Sequence, residues 1–200
     1  MKFIVISPPG FIPGEAVLIK QLFDAGMDTL HLRKPEATID DCARLLDEIP
    51  QELHRNIVIH DNFRLCDRYE LQGVHLNSRN TIPPKFSGHR QHTVSASCHT
   101  LQEAAMRKDN LDYVFISPIF NSISKQGYSS AFSQKELDMA AEKGITDDKT
   151  IALGGISYGM IRQLRKWHFG GAAFLGDVWE KAGRDDFALY AERLSVELHG

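Results

Sequence analysis

What this sequence lacks narrows its function first. No apolar run approaches the ~20 residues of a membrane-spanning helix, and the first one, Phe3-Ile4-Val5-Ile6, stops at Ser7-Pro8-Pro9. The start also lacks the pattern of a secretory signal, so neither a membrane helix nor export is expected. Neither sign of charge prevails. A formal net charge of -3 supplies no basic field for nucleic acid, and no Lys/Arg run points to a membrane surface. Cysteine is scarce: Cys42, Cys66 and Cys98 are odd in number and contain no Cys-x-x-Cys, which predicts a reducing, cytoplasmic setting. The nine histidines show no metal-ligand spacing, and His89 and His92, in a polar segment, read as solvated.

What is present is a rhythm. Short runs rich in β-branched or aromatic residues occur at residues 3–6, 29–33, 56–60, 73–76, 93–97, 112–116, 150–153 and 172–175. Helical periodicity follows most of them, over residues 15–25, 39–49, 63–69, 101–108, 134–143, 160–167 and 186–198, with Thr38 and Thr100 as N-caps. Residues 77–91 carry Pro83, Pro84 and Gly88 and are expected to be loop. Eight such units over 200 residues, roughly 25 each, predict parallel strands with right-handed crossovers. They favour an α/β fold in which a single domain, residues 1–200, closes as a (β/α)8 TIM barrel; the alternative is an open doubly wound sheet.

The chemistry is expected at the strand ends. After the sixth strand come Ser122, Ser124 and Lys125, hydroxyls and a cation suited to an anion such as phosphate; the plainer alternative is a Ser-rich surface turn. Loop seven, Gly154-Gly155-Ile156-Ser157, and loop eight, Leu175-Gly176-Asp177, let backbone N–H groups approach phosphate oxygens. The other half of the mouth receives His31, Arg33 and Lys34 from strand two, His60 and Asp61 from strand three, and Ser97 from strand five. Cations beside a carboxylate suit a polyphosphate with a divalent metal.

These stretches resemble the thiamine phosphate synthases and their thiazole tautomerase relatives over almost the whole chain. Ser117–Lys125 is similar to the family's Gly-Pro-Ile-(Phe/Tyr)-Pro-Thr-x-Thr-Lys, and Ile59-His60-Asp61 to its Ile-Asn-Asp. Residues 72–80 resemble Asp-Gly-Val-His-Leu-Gly-Gln-x-Asp, and Ser97-Cys98-His99-Thr100 resembles Ser-Ala-His-Thr. Leu153–Ile156 is similar to Ile-Gly-Gly-Ile, and residues 31–35 align with Gln-x-Arg-x-Lys. The resemblance implies a (β/α)8 barrel that joins a hydroxymethyl-aminopyrimidine pyrophosphate to a thiazole phosphate, with Mg2+ as cofactor, small phosphorylated molecules as partners, and no nucleic acid or membrane. It assigns the pyrimidine pyrophosphate to Arg33, Ser97 and Lys125, with His31, Lys34 and His60 beside them. Ser122, Ser124, Gly155, Leu175 and Gly176 take the thiazole phosphate, and Asp61 takes Mg2+.

There are departures from the pattern. His31 and His60 replace Gln and Asn, Asn80 replaces the second metal carboxylate, and the strand-two lysine has moved to Lys34. Alternation along a strand places Lys34 on the face opposite Arg33 unless the strand has ended. A tautomerase needing only one phosphate, and a non-catalytic precursor binder, are the alternatives; against the tautomerase, Pro118 stands where that branch has its histidine, leaving His60 and His99 to substitute. Homo-oligomerisation is left open.

Overall fold

The computed structural model describes residues 1–87, 91–121 and 131–200. Its eight strands are β1 (Lys2–Ile6), β2 (Thr29–Leu32), β3 (Ile57–Ile59), β4 (Gly73–Leu76), β5 (Thr93–Cys98), β6 (Tyr113–Ile116), β7 (Thr150–Leu153) and β8 (Gly171–Phe174). They pair in parallel and in sequence order, and β8 returns to β1 with Phe3 opposite Ala172, so the sheet closes into a (β/α)8 barrel. The helices are α1 (Glu15–Asp24), α2 (Ile39–Glu48), α3 (Arg64–Arg68), α4 (Leu101–Arg107), α5 (Gln134–Glu142), α6 (Ile161–Lys166), α7 (Gly176–Trp179) and α8 (Phe187–His199).

Local chemistry explains the boundaries. Thr38 caps α2 reciprocally with Asp41, and Ser133 caps α5 with Glu136 in the same way. Thr100 accepts from the Glu103 amide at the start of α4. As the prolines predict, no helix forms among the described residues of 77–91. The short α7 has no periodicity to announce it, since one turn is too brief to show a pattern. His92 departs from expectation: it is buried, stacks on Phe86 at 4.3 Å, and sits 3.0 Å from the Leu71 carbonyl and 3.4 Å from Asp67.

Strand alternation splits the protein into two cores. Phe3, Val5, Leu30, Leu32, Val74, Ala96, Val114 and Phe174 face outward and pack with Leu22, Leu46, Leu164 and Leu194 of the helices. The bore is unequal. One side is apolar, formed by Ile4, Ile6, Phe115, Ile151 and Ala173. The other holds His31, His75 and Ser95, all buried. No helix among the described residues is long and apolar enough to cross a membrane, and all three cysteines are free and buried.

Candidate active site

A cavity of about 660 Å3 opens where the strands end, and Arg33, His60, Ser97, Gly155, Leu175 and Gly176 all line it. Ser122, Ser124 and Lys125 lie outside the described residues. The cavity volume is of the size that holds a small ligand (~300–1,000 Å3).

Lys34 corrects the expectation. It is buried away from the cavity, with Nζ 2.7 Å from Glu15 Oε1, 2.8 Å from Oε2, and 2.7 Å from the Gly10 carbonyl it donates to. β2 has ended at Leu32, yet Lys34 keeps the outward direction of the even-numbered residues and reaches α1 instead of the mouth. His31 is corrected in part: it is fully buried beneath His60 and is absent from the cavity wall.

The wall includes guanidiniums that motif reading did not single out. Arg79 and Arg107 join Arg33 around the same space. Arg107 is tied to Glu103 at 3.0 Å and donates to the Ser97 carbonyl at 3.3 Å. The Arg33 guanidinium has no ion-pair partner among the described residues, which leaves its charge available to an anion. On the opposite side, Gly154 and Gly155 adopt left-handed backbone, φ 92° and 67°. The turn they make receives loop six: Phe120 N–H donates to the Gly154 carbonyl at 3.0 Å. Next to it α7 starts at Gly176 with no side-chain cap, leaving first-turn N–H groups for an acceptor. The Asp177 carboxylate in the wall is neutralised by Lys181 at 2.7 Å and accepts from the Tyr190 hydroxyl.

Three histidines of the bore meet at the cavity floor, which His60 and His75 line and His31 underlies. His31 Nδ1 is 2.9 Å from His60 Nε2, and His31 Nε2 is 2.8 Å from the Tyr113 hydroxyl. His75, flanked by Ser95 and Ser97 at 2.9 Å each, stacks on His60 with ring centres 4.2 Å apart. Burial holds His31 and His60 well below the ordinary histidine value and takes His75 down to about 3, with neighbouring histidines and Arg33 or Arg107 adding to the effect. All three are neutral near pH 7. Their nitrogens lie within 4.8 Å of one another, the spacing of a metal cluster. The hydrogen bonds instead engage both nitrogens of His31 and His75. His75 was legible as alternation on β4: it is the inward residue of Gly73–Leu76.

The structure places Asn80 against Asp61, with Asn80 Nδ2 3.1 Å from Asp61 Oδ1. Arg79 contacts both oxygens of Asp61 at 3.0 Å, and Asn77 Nδ2 adds a donor at 3.3 Å. The donor set fits a hard cation modestly. Mg2+ takes one or two carboxylates with phosphate oxygens and water, and the Asn80 amide can turn its oxygen inward. Arg79 would have to leave the carboxylate.

A family model described as thiamine monophosphate synthase matches residues 4–178. Among curated proteins, a thiamine-phosphate synthase of Actinobacillus succinogenes is 24% identical over 184 residues, covering 84% of this chain and 83% of that one. Among solved structures, a thiamine phosphate pyrophosphorylase from Bacteroides thetaiotaomicron is 38% identical, with TM-score 0.88, covering 100% of this chain and 98% of that one. A thiamine phosphate pyrophosphorylase from Pyrococcus furiosus, at 18% identity, TM-score 0.75, and coverage of 99% and 95%, shares the fold.

Proposed function

We propose that this chain, which belongs to the thiamine monophosphate synthase family, joins hydroxymethyl-aminopyrimidine pyrophosphate to thiazole phosphate, releasing pyrophosphate and giving thiamine phosphate. The observation that carries this reading is the two-sided cavity. Guanidiniums of Arg33, Arg79 and Arg107 stand on one side and the left-handed Gly154-Gly155 turn beside the start of α7 on the other. A cavity of about 660 Å3 with two anion-seeking walls suits two phosphorylated molecules rather than one.

In the bond exchange, the thiazole nitrogen lone pair forms a C–N bond to the pyrimidine methylene while the C–O bond to pyrophosphate breaks. The electron pair leaves on the pyrophosphate oxygen, and no proton need move. Charge therefore accumulates on the departing group, and the protein's task is to have cations and donors already facing it. Arg33, Ser97 and Lys125 take that role, with His60 beside them and His31 supporting His60 from below. Ser122, Ser124, Gly155, Leu175 and Gly176 hold the thiazole phosphate. Mg2+, when bound, neutralises pyrophosphate charge, and Asp61 with the Asn80 amide oxygen would hold it. Three free, buried cysteines suit a reducing cytoplasm. The synthase is favoured over the tautomerase because Pro118, which lines the cavity, has no proton to give.

The test is direct. Purified protein incubated with both precursors and Mg2+ should yield thiamine phosphate, measured by oxidation to its fluorescent thiochrome derivative. Lys125→Ala should lower the rate on the order of 10²-fold, through loss of a charge facing the leaving group. No product at micromolar enzyme overturns the reading.

A further inference from the structure

Arg33 lies one residue beyond the end of β2, and the loop after β1 grips it there. In a parallel ladder the next rungs between β1 and β2 would join the Arg33 N–H to the Ser7 carbonyl and the Arg33 carbonyl to the amide of residue 9. That residue is Pro9, which has no N–H, so the second rung cannot form. Ser7 replaces both rungs with one side chain. Its Oγ accepts from the Arg33 N–H at 2.8 Å and donates to the Arg33 carbonyl at 3.2 Å, while its own N–H donates to the His31 carbonyl at 2.9 Å. Ser7 is 0% exposed, so solvent does not compete for these bonds.

The ladder to β3 closes one residue earlier, where the His60 N–H donates to the Leu32 carbonyl at 3.0 Å. Past that point the same loop holds the chain from its far end. Lys34 Nζ donates to the Gly10 carbonyl at 2.7 Å and pairs with Glu15 at the start of α1. Residues 7–15 thus keep Arg33-Lys34 in place beyond the strand, with Lys34 drawn outward. Alternation then turns Arg33 inward, where it lines the cavity. A guanidinium serves an anion best when its fork is already aimed. A long side chain on an untied backbone would have to be ordered at the moment of binding, at a cost in affinity.

We infer that Ser7 is a positioning residue for Arg33: its hydroxyl fixes the backbone from which the guanidinium reaches the pyrophosphate group, the anion being named by the synthase reading on which this rests. Ser7 is absent from the cavity wall and acts only through its neighbour. Its effect is one-sided. The bonds of Ser7 run to His31 and Arg33, whereas the thiazole phosphate is assigned to loops six, seven and eight.

Calorimetric titration with inorganic pyrophosphate, Mg2+ present throughout, tests this as a double-mutant cycle. Ser7→Ala should weaken binding roughly 10-fold and Arg33→Ala at least as much, while the double variant should be no weaker than Arg33→Ala alone. Ser7→Thr, which keeps the hydroxyl, should restore the affinity. In steady-state kinetics Ser7→Ala should raise KM for the pyrimidine pyrophosphate by a similar factor and leave KM for the thiazole phosphate unchanged. Native pyrophosphate affinity in Ser7→Ala, or losses that add in full in the double variant, overturns the positioning role and leaves the synthase reading in place. Native protein that binds pyrophosphate yet makes no thiamine phosphate overturns the synthase reading alone. Native protein that binds no pyrophosphate overturns both. The cycle decides even if the added methyl of Ser7→Thr prevents folding, since alanine removes an atom and adds none.

Discussion

Lys34 and Glu15 form an ion pair sealed from solvent, with Nζ 2.7 Å from Oε1 and the two side chains 0% and 2% exposed. Burial is the largest influence on both, raising the Glu15 carboxyl and lowering the Lys34 ammonium despite their mutual attraction. The pair therefore joins α1 to the end of β2 without being a strong source of stability. Lys34→Met alone should cost roughly 3–5 kcal/mol by stranding a carboxylate, whereas Glu15→Leu with Lys34→Met should recover most of that loss. Urea denaturation of the two variants checks this.

The buried histidines make acid sensitivity a property of the bore. Each has its proton affinity depressed by folding, so the unfolded chain binds protons that the folded one refuses. Stability is then fully present above the ordinary value near 6.5 and is lost as pH falls toward the folded value, which for His75 is about 3. Each histidine contributes a slope of at most about 1.4 kcal/mol per pH unit within that window. Thermal or guanidinium unfolding at pH 7, 6, 5 and 4 should show the decline. His31→Gln should reduce its slope by about one histidine's share; an unchanged slope would count against neutral burial.

Much of the fold was legible because its signals are local. Alternating runs such as Thr29–Leu32 and caps such as Thr38 act within a few residues, and closure follows from having eight of them. The site was legible where a residue type faces the mouth by strand register, as with Arg33, His60 and Ser97. It was less so where the partner is distant in sequence. Lys34 looked like a ligand for phosphate because Glu15, 19 residues earlier, carries no mark of being its partner. Ser95 and Tyr113 looked like ordinary strand residues: Ser95 meets His75 through the register of β4 and β5, and only closure of the barrel sets Tyr113 of β6 beside His31 of β2.

Asn80 lies where the family has a carboxylate, against the one carboxylate that remains, Asp61. Affinity for a hard cation rises with the number of charged oxygens. Asn80→Asp should therefore lower the Mg2+ concentration for half-maximal rate, by roughly 10-fold for about 1.4 kcal/mol of added binding. Asp61→Ala should raise it by at least as much. Mg2+ titration of the initial rate of thiamine phosphate formation measures both. A requirement that neither substitution moves would place the cation elsewhere.

Gly155 joins loop seven to loop six on the side proposed to hold the thiazole phosphate. Its φ of 67° is left-handed, and a Cβ there would lie 2.4 Å from the Asn121 carbonyl oxygen and 2.8 Å from Phe120 Cβ. The first obstacle is backbone, which cannot swing aside as a side chain tip can. A left-handed alanine costs about 1–2 kcal/mol before any clash. Relief requires loop six to retreat at Phe120 and Asn121, immediately before the hydroxyls assigned to the thiazole phosphate. Gly155→Ala should thus raise KM for thiazole phosphate by roughly 10-fold or more, equivalent to about 1.4 kcal/mol, with a smaller effect on the pyrimidine substrate. At Gly159, a few residues on, a Cβ would meet nothing within 4 Å, and the backbone is not left-handed. Gly159→Ala should leave both KM values unchanged. Steady-state kinetics of the two variants separates a requirement for glycine at the loop contact from a general intolerance of side chains in this segment, and equal effects of the two would overturn the assignment of Gly155 to the phosphate.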